Sequence, residues 1–151
     1  MEEESTVPGP ECLALMLCEQ VIQDRQTNNL TLVNTFNTIS VVFDDQQPAR
    51  FGRMAVFVSL TNGHGASKGK LIIKEPQGGE VFHGEGDVGF PNPVAVVEIT
   101  FDIRALPLPC AGLYEIEFWC NDALVRQRRF QVIDLKKAGA GREDGRPIDQ
   151  G

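Results

Sequence analysis

Apolar and polar positions alternate with a period of two along most of the middle of the chain, the mark of strands that turn one face to a core. Between Val94 and Arg104, the apolar set is Ala95, Val97, Ile99, Phe101 and Ile103, set against Val94, Val96, Glu98, Thr100 and Asp102. Leu113 to Cys120 repeats the pattern, with Tyr114, Ile116, Phe118 and Cys120 inward and Leu113, Glu115, Glu117 and Trp119 outward. Leu124 to Leu135 makes a last strand with Phe130 and Val132 inward. Further strands are predicted at Leu30 to Phe43, Met54 to Leu60, Lys70 to Lys74, and from Val81 onward. Leu13 to Gln23 is apolar on both parities at its start. It reads as a strand buried on both faces, or as a helix, since Leu, Ala and Met favour helices.

Clusters of turn formers separate these runs: Asp24 to Asn29, Asp44 to Arg53, Thr61 to Ser67, Pro76 to Gly79, the glycine-rich His83 to Pro93, and Asn121-Asp122. Leu106-Pro107-Leu108-Pro109 cannot ladder in a central strand, because proline lacks the amide donor, so it is predicted as a crossover or a sheet edge. About eight short strands with turns between them point to an all-β fold. The expected architecture is a two-sheet antiparallel β-sandwich of immunoglobulin-like or C2-like topology.

Residues 1–11 are acidic, contain Pro8-Gly9-Pro10, and are expected to form a disordered leader. Residues 12–135 form the sandwich domain. Residues 136–151 hold four glycines, seven charged residues and one large apolar side chain, Ile148, too little to offset the entropy of ordering them, so a disordered tail is expected.

Charge and cysteines narrow the function classes. The net charge is −7, of which −4 lies before Cys12, leaving a mildly acidic body. Such a body is not expected to bind nucleic acid, which needs Lys and Arg at phosphates, nor an anionic membrane surface. The Met-Glu-Glu-Glu start is unlike a basic signal-peptide region, so a cytoplasmic location is expected. Cys12, Cys18, Cys110 and Cys120 match no zinc or redox spacing. Cys12 and Cys18 on one strand would stand about 20 Å apart, too far to bridge, and free thiols suit a reducing compartment.

Two stretches carry a resemblance. Leu15-Met16-Leu17-Cys18-Glu19, followed by Asn29-Leu30-Thr31-Leu32-Val33-Asn34-Thr35-Phe36-Asn37-Thr38-Ile39, resembles the opening of a family of small, uncharacterised bacterial β-sandwich proteins of unknown function. Leu106-Pro107-Leu108-Pro109, Gly112-Leu113-Tyr114-Glu115-Ile116 and Phe130-Gln131-Val132 are similar to the closing hairpin of that family and of many immunoglobulin-like sandwiches. There Tyr114 would bury its ring and reach back to a backbone group, as in a tyrosine corner. Ile116, not cysteine, follows two residues later. The resemblance implies a fold and no activity.

Candidate chemistry is sparse. His64 and His83 beside glycines lack a nucleophile elbow, so no catalytic residue is assigned. His83, Glu85 and Asp87 would share a face in extended chain and could hold a divalent ion, although a polar glycine loop explains them better. Asp44-Asp45 with Asp87 offers too few oxygens for calcium and suits a turn. Gly63 to Lys70 lacks the Gly-Lys-Ser/Thr of a phosphate loop. Arg126, Arg128 and Arg129 are expected to pair across strands with Glu115 and Glu117. The expectation is therefore a non-enzymatic binding or scaffolding domain with an unknown protein partner, no cofactor, and no nucleic acid or membrane. A homo-oligomer stays open. The alternative is a metal-binding or metal-dependent enzyme module centred on His83, Glu85 and Asp87.

Overall fold

The computed structural model describes residues 9–137. Among them nine strands are β1 (Glu11–Gln23), β2 (Leu30–Thr35), β3 (Thr38–Val41), β4 (Ala49–Thr61), β5 (Gly65–Lys74), β6 (Glu80–Phe90), β7 (Val97–Leu108), β8 (Gly112–Cys120) and β9 (Ala123–Asp134). They form two packed sheets, one of order β2-β1-β4-β7 and one of order β3-β9-β8-β5-β6. The chain is thus an all-β sandwich.

The core lies between the sheets. Leu15, Leu17, Met54, Val56, Val58, Leu60, Phe101 and Ile103 from the first face Leu71, Ile73, Tyr114, Ile116, Phe118, Phe130 and Val132 from the second. Of the inward sets read from the alternation, Phe101 and Ile103 of β7, Tyr114, Ile116, Phe118 and Cys120 of β8, and Phe130 and Val132 of β9 are buried, while Val97 and Ile99 pack partly against the core. Central β4 is buried without a break from Met54 to Leu60, so its sequence reads as an apolar run rather than an alternation.

The sheet of β9, β8, β5 and β6 has the connectivity of the G-F-C-C′ sheet of a variable-type immunoglobulin domain, and β4 pairs with β7 as strands B and E do. Tyr114 at the start of β8 makes the tyrosine corner: its hydroxyl donates to the Cys110 carbonyl at 2.6 Å and accepts the Cys110 N–H at 3.3 Å. Gly112, with φ 139°, carries the chain into the strand. Ile116 is wholly buried at the position where antibody domains carry a disulfide cysteine. The departure from that plan is β1, which lies between β2 and β4.

Leu13 to Gln23 is strand, the first of its two readings. Several other expectations need correcting. Glu11, placed in the leader, pairs with Thr61. Leu30 to Phe43 is two strands in different sheets, and β3 runs parallel to β9, so the sandwich is not wholly antiparallel. Asn34, at φ 58°, takes the left-handed backbone just before the switch. β4, β5 and β6 each run longer than expected, and His83 to Phe90 is strand rather than loop. Leu106 to Leu108 continues β7, an edge strand of its sheet, as the proline allows. β9 ends at Asp134; Leu135 to Lys137 take a helical turn, with the Lys136 N–H bonded to Asp134 Oδ1 at 3.0 Å. The rest of the expected tail, and most of the leader, lie outside the described residues.

Candidate functional site

Chemistry-bearing side chains concentrate on the outer face of the five-stranded sheet, where the register sets them in columns. Lys68, Lys70 and Lys74 of β5 stand opposite Asp87, Glu85 and Glu80 of β6. On the other side of β5, Lys70 faces Trp119 and Lys74 faces Glu115 of β8. Beyond β8, Glu115 faces Arg129 and Glu117 faces Gln127 of β9. The face therefore alternates in sign: Arg129, then Glu115 and Glu117, then three lysines, then Glu80, Glu85 and Asp87.

Contacts follow the columns. Lys68 Nζ lies 3.0 Å from Asp87 Oδ1, which raises the lysine's pKa through the hydrogen bond and the charge. Lys74 Nζ lies 3.3 Å from Glu117 Oε2, and Trp119 Nε1 donates to Glu117 Oε1 at 3.0 Å, so this buried carboxylate is held on both oxygens. Lys70 Nζ sits 5.5 Å from the centre of the Trp119 ring. Lys68, Lys70, Glu85, Trp119, Asn121 and Asp122 line a shallow cavity of about 310 Å³. Trp119 was not singled out from the sequence, although it shares the outward parity of Glu115 and Glu117.

His83, Glu85 and Asp87 do share the outer face of β6, as the extended reading requires. His83 Nε2 lies 3.2 Å from Glu85 Oε2, and its Nδ1 3.9 Å from Glu80 Oε1. Asp87 is drawn away to Lys68. Among the described residues, no three His, Cys, Asp or Glu side chains gather into a group that could hold a metal ion.

The arginines divide. Arg129 Nε reaches Glu115 Oε2 at 3.9 Å, a loose pair, and Glu115 takes its closer bond, 2.8 Å, from Gln127 Nε2. Arg126 and Arg128 do not pair with Glu115 or Glu117. They share the inward parity of Phe130 and Val132 and cross to the other sheet. Arg126 Nη2 donates to the Cys12 carbonyl at 2.7 Å. Arg128 donates to the Leu15 carbonyl and to Asn37 Oδ1, with the Met16 sulfur 3.5 Å away. β2 pairs with β1 only from Cys18 onward, so these guanidinium groups bond a stretch of β1 that pairs with β4 on one side and not with β2 on the other.

The other candidates resolve into structure. Cys12, Cys18, Cys110 and Cys120 are free. Burial pushes the Cys12, Cys18 and Cys120 thiols above their ordinary range, the reverse of what a nucleophile needs. Asp44 Oδ1 accepts the Gln46 N–H at 2.9 Å, a turn contact. Gly65 to Lys70 is part of β5, and His64 is exposed beside it. No helix among the described residues is long and apolar enough to cross a membrane.

No functionally curated protein matches the chain in sequence. Among solved structures, it is similar to the alkylpurine DNA glycosylase AlkC of Pseudomonas fluorescens bound to DNA with an abasic-site analogue. Identity is 10%, the TM-score is 0.41, and the match covers 79% of this chain and 30% of that one. The chain thus spans less than a third of that relative's length. It is also similar to an immunoglobulin-like protein of Pseudomonas aeruginosa, with 13% identity and a TM-score of 0.39, covering 84% of this chain and 98% of that one. The sequence matches DUF6941, a family of unknown function, over residues 13–133, and the chain belongs to that family.

Proposed function

We propose that this domain is a non-enzymatic binding or scaffolding module that works in a reducing cytoplasm. One observation carries the reading. On the outer face Lys68 pairs with Asp87 and Lys74 with Glu117 across strands, and the columns end at exposed Glu80 and Glu85 on β6, a strand with one neighbour among the described strands. A catalytic centre converges its groups on a space for substrate, whereas this face spreads them along a surface that ends at a sheet edge. Four free thiols, two of them deeply buried, suit a compartment where disulfides do not form.

The test is an unbiased pull-down from the native cell with the full chain as bait, repeated in quantitative form against an unrelated β-sandwich. A partner enriched reproducibly on this chain is the expected result; none at any salt concentration sinks the reading. The side-by-side placement of His83 and Glu85 keeps metal binding as the second reading. Metal analysis of untagged protein, followed by manganese and zinc titration watched through the His83 ring resonances, decides it. Stoichiometric metal lost on His83→Ala would replace the binding module with a metal site.

A further inference from the structure

We propose that the free edge of β6 takes up an extended segment of a partner protein by strand addition, and that this segment carries Lys or Arg at alternate positions. The proposal rests on the binding-module reading and names its surface and the chemistry of its partner.

The edge itself is the first ground. β6 is 11 residues long and, among the described residues, hydrogen-bonds to β5 alone, so one side of its backbone presents donors and acceptors to no other described strand. Proteins commonly blunt such edges with proline, lysine, a bulge or a short strand. The other edges here are treated that way: β2 has six residues, β3 four, and β7 carries Pro107. β6 has no proline and no lysine or arginine; its one register shift, at Val81, lies at its very start, and the register with β5 holds without a break from Phe82 to Phe90. Gly86 and Gly89 have no atom within 4 Å of where a Cβ would stand, so the strand is slender enough for another backbone to approach.

The charge order is the second ground. Across the outer face the sign alternates strand by strand and ends, at the free edge, on Glu80, Glu85 and Asp87. Side chains of an added strand would stand about 5 Å from that column, where opposite charges stabilise and like charges oppose. A second copy of the chain pairing through β6 would lay its acidic column against its own likeness. The same carboxylates that oppose self-pairing thus select a basic strand, one device serving both ends.

The test uses three labelled 11-residue peptides and the full chain. One alternates lysine with threonine, one alternates glutamate with threonine, and one has the first composition with its lysines clustered. Alternating lysine is expected to bind at least about tenfold tighter than the other two, with amide NMR shifts concentrated on Glu80–Phe90 and β5. The double variant E80K/E85K should lose that preference, and the milder E80Q/E85Q should weaken it about threefold while guarding against misfolding. Equal binding by the clustered peptide, or shifts centred on the Trp119 cavity, overturns the proposal. Pull-downs separate it from the broader reading. A partner kept equally by wild type and E80K/E85K overturns the edge and leaves the binding module standing. A partner lost by the reversed chain supports both. No partner on either chain, with equal peptide binding, sinks both.

Discussion

The two margins of the sandwich are closed by different means. At the β1–β9 margin, two arginines in inward positions reach across and hydrogen-bond the other sheet: Arg126 to the Cys12 carbonyl, Arg128 to the Leu15 carbonyl and Asn37. They occupy what would otherwise be an open stretch of β1. At the β6–β7 margin no cation crosses among the described contacts. Closure there comes from inside, through Phe101 of β7 edge-on to Phe118 of β8, 6.4 Å between ring centres. Gly84 of β6 lies beneath two rings, since a Cβ there would stand 2.9 Å from Phe82 and 3.3 Å from Phe101. One margin is therefore sealed by directional polar bonds, and the other by ring packing that leaves the outermost backbone unserved. Inward cations at a sheet margin guard against unwanted pairing. The margin without them is where a binding strand is best sought.

Removing the ring packing should have the largest effect. Phe118 is fully buried between the sheets, and Phe118→Ala is expected to cost about 3–5 kcal/mol in urea melts. A loss below about 1 kcal/mol would mean that ring packing does not hold the β6–β7 margin. The sealed margin should come next. Arg128→Met keeps most of the stem and deletes the donors, leaving the Leu15 carbonyl and Asn37 without their partner. The expected cost is about 1–3 kcal/mol. Glu85→Gln at the other margin should change stability by no more than about 0.5 kcal/mol, since Glu85 is exposed. Equal losses for the two would erase the contrast between margins.

Tyr114 offers a spectroscopic view of the half nearer β9, since it packs against Phe130 with 5.3 Å between ring centres and is the chain's one tyrosine. Burial pushes its hydroxyl up to about 12, against the opposing effect of its backbone bond at Cys110. Because the folded value lies above the unfolded one, the neutral phenol favours folding. That contribution is whole below pH ~10 and is lost as pH rises toward 12. Tyrosinate absorbance should therefore emerge near pH 12 in the native protein and near pH 10 in urea, with urea midpoints falling between. A native transition at the ordinary value would mean that the corner opens.

Much of the fold was legible in the sequence wherever one face of a strand meets the core and the other meets water. Tyr114, Ile116, Phe118, Phe130 and Val132 could be placed from parity alone, and the reach of the Tyr114 hydroxyl to a backbone group is what the resemblance of Gly112-Leu113-Tyr114 to a tyrosine corner implies. Two things were hidden for physical reasons. The switch of sheets between Thr35 and Thr38 interrupts neither the alternation nor the β-branched composition, and its one local trace is Asn34, a residue that tolerates the left-handed backbone. The glycines of His83 to Phe90 read as a loop because glycine weakens a strand in isolation; the unbroken pairing of Phe82 to Phe90 with β5 outweighs that propensity here. At the candidate site, the common face of His83, Glu85 and Asp87 was foreseeable, but not the capture of Asp87 by Lys68. Charge alone points Arg126 and Arg128 to the carboxylates of β8, but their parity is that of Phe130 and turns them inward, to the backbone of β1.

Two glycines face each other across β5 and β6, Gly69 and Gly86. Their surroundings differ sharply. A Cβ at Gly69 would stand 2.9 Å from Phe118 Cζ and 3.1 Å from a Val88 methyl, in a part of the core with no room to yield. Gly69→Ala should therefore cost about 1–3 kcal/mol, the range for overfilling a packed interior. A Cβ at Gly86 would meet nothing within 4 Å, and its backbone lies outside the left-handed region. Alanine there restricts the unfolded chain without straining the folded one, so Gly86→Ala should stabilise by about 0.4–1 kcal/mol. Paired urea melts measure both. A loss at Gly86 would mean that the β6 margin is packed as tightly as the interior, and the contrast between margins would fail. A gain, with the preference for the alternating lysine peptide unchanged, would separate two uses of glycine in one register pair: at Gly69 it makes room for the Phe118 ring, while at Gly86 it leaves the edge strand thin at a cost in stability that the core does not require.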